Sequence, residues 1–384
     1  MKITEVRIYG NRYPVAFVEV FTDEGITGIG ATGTQCNLIS PVISDAGLDR
    51  IVIGENPCEP RRLWTKMFIE WQALRGRGAE GGLAVNAMAA IDMALWDITG
   101  KVLDLPLYKM LGGETKKQVM AYASSSAFKT VKGESFLKSL DEIIDECRKS
   151  VDMGFKAIKY GWGNRFGEKD ENIIASMREC VGKDVRLMFD FGCPAYWTSG
   201  WNVKSAIRAA RILEKYDVYF LEEPFIPCDT KSHKALKENT SINIASGESL
   251  TTIYEFMRFI EESAVDIIQP DACQIGITKF FEVACLAEKA GILCIPHSPW
   301  SALAVGTHLN ILATVRNGEM IEYPAFHALS SEVHNKYYHL TNHRIVQHPP
   351  LLKDGFLHLS SLPGLGLGQF DHEILDNLYS YDEI

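Results

Sequence analysis

The 384-residue sequence is expected to fold as an α/β barrel carrying a smaller α+β unit. Three observations lead there. The chain is longer than one ordinary domain of about 100–200 residues. Its first ~115 residues are patterned differently from its middle. From about residue 120 to about 325, eight short apolar stretches alternate with amphipathic ones. Apolar strands alternating with helices mean a parallel sheet, and eight such units fit a (β/α)₈ barrel.

The elements follow in order. "KITEVRIYG" and "AFVEVFTDEGITGIG" read as antiparallel strands, with Asp23-Glu24-Gly25 as a turn. Only Asn11-Arg12-Tyr13-Pro14 connects the first pair, so that hairpin is tight. In "GGLAVNAMAAIDMALWDITGK" the apolar residues Val85, Met88, Ile91, Met93, Leu95 and Trp96 cover most of a helix, which is therefore expected to be buried. Asp92 and Asp97 on that helix are expected to bond backbone or basic groups. The barrel strands are expected at 119–124, 156–160, 185–190, 218–222, 242–247, 265–270, 292–296 and 319–323. Stretches such as "SAIRAARILEKYD" supply helices with one apolar face. The tail from "PGLGLG" onward is loop-like and is expected to return to the N-terminal segment. This divides the chain into 1–118, 119–353 and 354–384.

Composition narrows the function. The chain is 46% hydrophobic and 23% charged, as in globular proteins. A net charge of −10 argues against a nucleic-acid or anionic-membrane partner. No run approaches the ~18 apolar residues of a membrane span. The N-terminus alternates like a strand and shows no apolar leader. Nine scattered cysteines without a C-x-x-C pair fit reduced thiols, so a cytoplasmic location is expected.

The informative feature is a periodic row of ionisable residues. Asp190, Glu222, Glu248, Asp271, His297 and Glu322 each fall at or just after one expected strand, about 23 to 32 residues apart. A lone strand-end acid is usually a helix cap. Six in phase instead gather at the C-terminal mouth of a barrel, where barrel enzymes place their chemistry. Converging carboxylates repel unless a cation joins them. Asp190, Glu222 and Glu248 offer only hard oxygen ligands, which suits Mg²⁺ first and Mn²⁺ second. Asp271 and His297 end adjacent strands, and a carboxylate beside an imidazole makes a general base.

These residues resemble the mandelate racemase/muconate lactonizing branch of the enolase superfamily. The resemblance runs along nearly the whole chain, through "AIDMALWDITGKVLDLPLYKMLGG", the Asp of "LMFD", "EEP", "GES", "QPDA", "PHS" and "PGLGLG". It implies an α+β capping domain formed from both termini over a modified (β/α)₇β barrel, and a homo-oligomer, dimer or octamer. It also implies that Asp190, Glu222 and Glu248 hold the metal and that Asp271 and His297 form a catalytic dyad. Glu322 matches a glutamate that hydrogen-bonds the substrate carboxylate. Lys159, in "KAIKYGWGNRFG", matches the first lysine of a Lys-x-Lys pair, whose second lysine is Gly161 here.

Racemisation needs a proton acceptor on each face of the α-carbon, and Gly161 removes one. Position 192, a histidine in some acid-sugar dehydratases of this branch, is also glycine. One remaining base fits syn-dehydration of an acid sugar to a 2-keto-3-deoxy acid. The alternatives are an epimerase, a cycloisomerase of a lactone or anhydro-sugar acid, and a non-catalytic binding protein. Arg12, Tyr13, Arg75, Arg77, Trp162 and Arg165 are candidate contacts for the distal end of the substrate. Tyr160, Trp162 and Arg165 are candidates to fill the space beside Gly161.

Overall fold

A computed structural model describes residues 1–10, 15–75, 81–131, 134–163, 166–298, 301–324 and 345–378. The chain opens with an antiparallel sheet of β1 (Ile3–Tyr9), β2 (Ala16–Thr22) and β3 (Thr27–Thr32). Helix α1 (Pro60–Arg75) and helix α2 (Leu83–Leu103) follow, with short helical turns between β3 and α1. Every residue from Ala84 to Gly100 is buried, as its all-round apolar surface requires. Gly28 and Gly30 let β3 lie directly on α2. A Cβ on Gly30 would stand 1.9 Å from the Ala90 carbonyl oxygen, and one on Gly28 would stand 2.1 Å from that of Ala94. Asp97 accepts the Ile29 amide at 3.1 Å and pairs with Lys101 at 2.6 Å. Asp92 accepts the Thr278 amide and hydroxyl at 2.8 and 2.6 Å. Both aspartates are structural, as expected.

The barrel begins at β4 (Gln118–Ser126). A small hairpin, β5 (Phe128–Val131) and β6 (Glu134–Leu137), precedes α3 (Leu140–Asp152). Strand and helix then alternate: β7 (Ala157–Gly161), α4 (Glu171–Val181), β8 (Arg186–Asp190), α5 (Val203–Glu214), β9 (Val218–Glu222), α6 (Thr230–Lys237), β10 (Asn243–Ser246) and α7 (Ile253–Glu261). They continue through β11 (Ile267–Ile268), α8 (Ala272–Ala290), β12 (Leu293–Cys294), α9 (Ala302–Leu312) and β13 (Met320–Pro324). Seven strands pair in parallel from β4 to β12, and β13 pairs in parallel with β4. All eight expected strands are present. β11 and β12 are much shorter than their apolar runs, although backbone hydrogen bonds such as Asp266 N–H to the Ile244 carbonyl and Ile295 N–H to the Ile268 carbonyl extend the pairing beyond them.

After β13, β14 (Leu352–Lys353) and β15 (Phe356–His358) form a hairpin, and β15 pairs antiparallel with β4 on the barrel's outer margin. The chain then reaches the N-terminal unit. Leu365 donates its amide to Asp97 at 2.9 Å, and Phe370 packs edge-on against Phe17 and Tyr9. Helix α10 (His372–Leu378) follows. All nine cysteines are free. Among the described residues no helix is long and apolar enough to cross a membrane.

Candidate active site

Strand alternation builds the site. One residue per barrel strand packs into an apolar floor: Tyr122, Ala157, Met188, Phe220, Ala245, Ile267, Met320 and, just past β12, Ile295. Side chains alternate with period two, so the next inward positions come two residues later. Those positions are Ser124, Lys159, Asp190, Glu222, Gly247, Gln269, His297 and Glu322. The charged row therefore lands in one ring above an apolar floor. Glu248 and Asp271 follow directly on the turns after β10 and β11.

Asp190, Glu222 and Glu248 bring one oxygen each within 4.8 Å of one another. Lys159, almost fully buried, lies 2.8 and 3.0 Å from the two oxygens of Glu222, 3.1 Å from Glu322 and 3.8 Å from Asp190. The Ser298 amide donates to Glu322 at 2.7 Å. On the other side, His297 Nδ1 lies 3.0 Å from Asp271 Oδ2, and its Nε2 lies 3.4 Å from Glu248. All seven candidate site residues thus converge.

The electrostatics fit a cation. Burial raises the Asp190 carboxyl to about 6, with Lys159 opposing and Glu248 adding to the rise. Burial also raises Glu222 and Glu248, opposed by Lys159 and by His297 respectively. Three carboxylates that resist ionising together, on a donor set of oxygens alone, are suited to a hard divalent ion. Lys159 is pushed up, because Glu222 and Glu322 outweigh the effect of its burial. Burial alone would lower His297, but Glu248, Asp271 and Glu322 outweigh it and push the imidazole up to about 10. Neutralising Glu248 removes the largest of these upward influences and frees the imidazole to act as a base. Asp271 is held well below the usual carboxylate range, because its hydrogen bond with His297 outweighs burial.

A proton on Asp190 competes with a metal ion for the same oxygen. Divalent-metal affinity measured by calorimetry is therefore expected to fall as pH drops below about 6. A flat affinity between pH 5 and 7 would show that Asp190 does not titrate in that range.

Other expected residues are placed differently. Trp162 is fully buried, tilted on Phe189 at 5.7 Å and edge-on to Phe166 at 6.0 Å, so it is not a substrate contact. Alternation explains this: Gly161 faces inward, and Trp162 turns out into the helix layer. Tyr160 also points outward, donating to Glu146 at 3.0 Å and the Ile143 carbonyl at 3.3 Å. Neither fills the space beside Gly161, where an added Cβ would meet, among the described residues, only the Ser125 carbonyl oxygen, at 3.6 Å. Arg12, Tyr13, Arg77, Arg165 and the side chain of Arg75 lie outside the described residues, as does the 11–14 connection.

Three features escaped the sequence reading. Glu223, the second Glu of "EEP", is buried with a left-handed φ of 46°. It accepts the Ser246 hydroxyl at 2.7 Å and the Gly247 amide at 3.0 Å, and its carbonyl takes the Cys193 amide at 2.8 Å. It thereby ties together the turns that carry Asp190, Glu222 and Glu248. Exposed Tyr196 and Trp197 stand on the rim, with Trp197 Nε1 donating to the Gly192 carbonyl at 3.0 Å. Their signal was an aromatic pair in the loop after β8. The third feature is His308, 3.3 Å behind Asp271.

Comparison with known proteins agrees with this geometry. Residues 9–112 match the mandelate racemase / muconate lactonizing enzyme N-terminal domain, and residues 142–372 match the enolase C-terminal domain-like family. The chain is 27% identical to D-galactonate dehydratase of Pectobacterium atrosepticum, over 96% of this chain and 92% of that one. It is 27% identical to D-xylonate dehydratase of Haloferax volcanii, over 95% and 86%. The structure of a 3,6-anhydro-D-galactonate cycloisomerase from Zobellia galactanivorans superposes with a TM-score of 0.83 at 27% identity, covering 99% of each chain. Capping sheet, barrel, ring of ionisable residues and both matched regions lead to one conclusion: the chain belongs to the mandelate racemase/muconate lactonizing enzyme branch of the enolase superfamily.

Proposed function

We propose that the protein dehydrates an acid sugar, an aldonate or aldarate, to a 2-keto-3-deoxy acid. The observation that carries this reading is that, among the described residues, the ring offers a candidate base on one side only. His297 stands on one side of the ring, and the inward position opposite, Gly161, presents no side chain to the mouth. A divalent ion held by Asp190, Glu222 and Glu248 would supply positive charge for the substrate carboxylate and the enediolate that develops from it. Lys159 supplies a second, fixed positive charge. Glu322, kept ionised here by Lys159 and His297 against burial, takes a proton from solvent as the anion arrives and hydrogen-bonds it. His297 removes the α-proton, with Asp271 stabilising the resulting imidazolium. The imidazolium then protonates the β-hydroxyl on the same face as the C–O bond breaks, and the enol product tautomerises to the keto acid. Tyr196 and Trp197 offer aromatic faces to the distal carbons.

The test is incubation with Mg²⁺ and a full stereochemical panel of aldonic and aldaric acids, assayed for 2-keto acid. Silence across the panel would overturn the reading. A cycloisomerase is the second reading, favoured by the structural likeness to the Zobellia enzyme; its product would keep the mass of its substrate. Solvent-deuterium exchange at C2 without loss of water would instead indicate an epimerase.

The open space beside Gly161 makes a gain of function testable. Gly161→Lys places an amine on the face opposite His297 without a backbone clash. The variant is expected to exchange and invert the α-proton of a bound 2-hydroxy acid, read by chiral analysis in D₂O. Retention of configuration with undiminished dehydration would show that this position does not face the α-carbon.

A further inference from the structure

His308 lies fully buried on α9, with its ring edge-on to Phe280 at 5.2 Å. Its Nε2 is 2.9 Å from the Ala272 amide and 3.3 Å from Asp271 Oδ1. A backbone N–H can only donate. Nε2 must therefore be an acceptor, and the ring proton sits on Nδ1. There it has no hydrogen-bond partner among the described residues. An orphaned buried N–H destabilises the fold, and a leucine would fill the same volume without it. Packing alone does not account for a histidine here.

The N-terminus of α8 does. Asp271 caps that helix, with Oδ1 accepting the Cys273 amide at 2.7 Å while Oδ2 meets His297 Nδ1 at 3.0 Å. First-turn amides have no acceptor within their own helix. Deprived of His308, the Ala272 amide would be left to compete with the Cys273 amide for the adjoining Asp271 carboxylate and draw it off the His297 axis.

We propose that His308 is a positioning residue. By accepting the Ala272 amide it fixes the plane of the Asp271 carboxylate, so that Oδ2 holds the Nδ1–H tautomer of His297 and leaves Nε2 as the base. This rests on the proposed role of His297, and the experiment separates the two.

The test uses full-length protein labelled with ¹⁵N-histidine. The downfield Nδ1–H resonance of His297 is assigned by its loss in His297→Asn. His308→Leu is expected to lose or broaden that resonance and to lower kcat about tenfold or more, with KM within about twofold of the parent. His308→Gln, whose amide oxygen can take the Ala272 N–H, is expected to restore both. A folded leucine variant that keeps the resonance, whatever its Tm, overturns the proposal. So does a glutamine variant as impaired as the leucine one. If the parent turns over no acid sugar, the resonance alone still decides the role of His308, and only the catalytic reading of His297 falls.

Discussion

His297→Asn is expected to lose about 10²–10⁴ of turnover, the scale of a positioned general base, while the protein stays folded. Asparagine keeps a polar group near Asp271 but cannot take a proton from carbon. The environment of the imidazole sets the size of this loss. His297 lies between two carboxylates, Asp271 at 3.0 Å and Glu248 at 3.4 Å; with Glu248 engaged by a cation, Asp271 alone keeps the freed imidazole basic. A weak carbon acid needs such a base. Exchange of the C2 proton with D₂O should fall in parallel with dehydration, because both begin with the same abstraction. A variant that exchanged this proton at the parent rate would remove His297 from the mechanism.

Lys159→Met is expected to cost about 3–5 kcal/mol of stability without divalent metal, as when one partner of a buried ion pair is removed. The ammonium is the counter-charge of Glu222 and Glu322 and lies near Asp190. The loss should depend on pH, with a definite sign. In the variant these buried carboxylates have folded-state pKa values above their unfolded value of about 4. Their penalty is absent below pH ~4 and grows as pH rises through the folded values. The Tm gap between variant and parent should therefore widen from pH 5 to pH 8, and Mg²⁺ should narrow it. A gap constant with pH would mean that lost packing, not lost charge, is responsible. Dehydration should fall as well, since the fixed charge beside the substrate carboxylate goes with the amine.

Much of this site is legible in the sequence because it is encoded by spacing. A charged residue two positions past an apolar inward residue, repeated once per βα unit, can be recognised without coordinates. What cannot be read is contact across strands. "KAIKY" does not reveal that Lys159 grips both oxygens of Glu222, 63 positions away. Whether Trp162 contacts substrate or packs was open in the sequence; the inward turn at Gly161 settles it by sending the next residue into the helix layer. Glu223 was overlooked because its neighbour accounted for the motif. His308 sits inside an apolar helix, where nothing local marks it as facing Asp271. The capping helix was legible for the opposite reason: it is apolar on every side, and only complete burial accommodates that.

The apolar floor has a consequence for how this barrel can change. Each strand gives one residue to the floor and, two positions later, one to the ring. Inserting or deleting one residue within a strand would exchange inward and outward sets, sending the ring residue among the helices and a helix-facing residue into the mouth. Strands must therefore keep their parity, whereas the loops beyond them can lengthen freely. New substrates are open to this scaffold through its rim, while the order of groups around the ring is inherited with the fold itself.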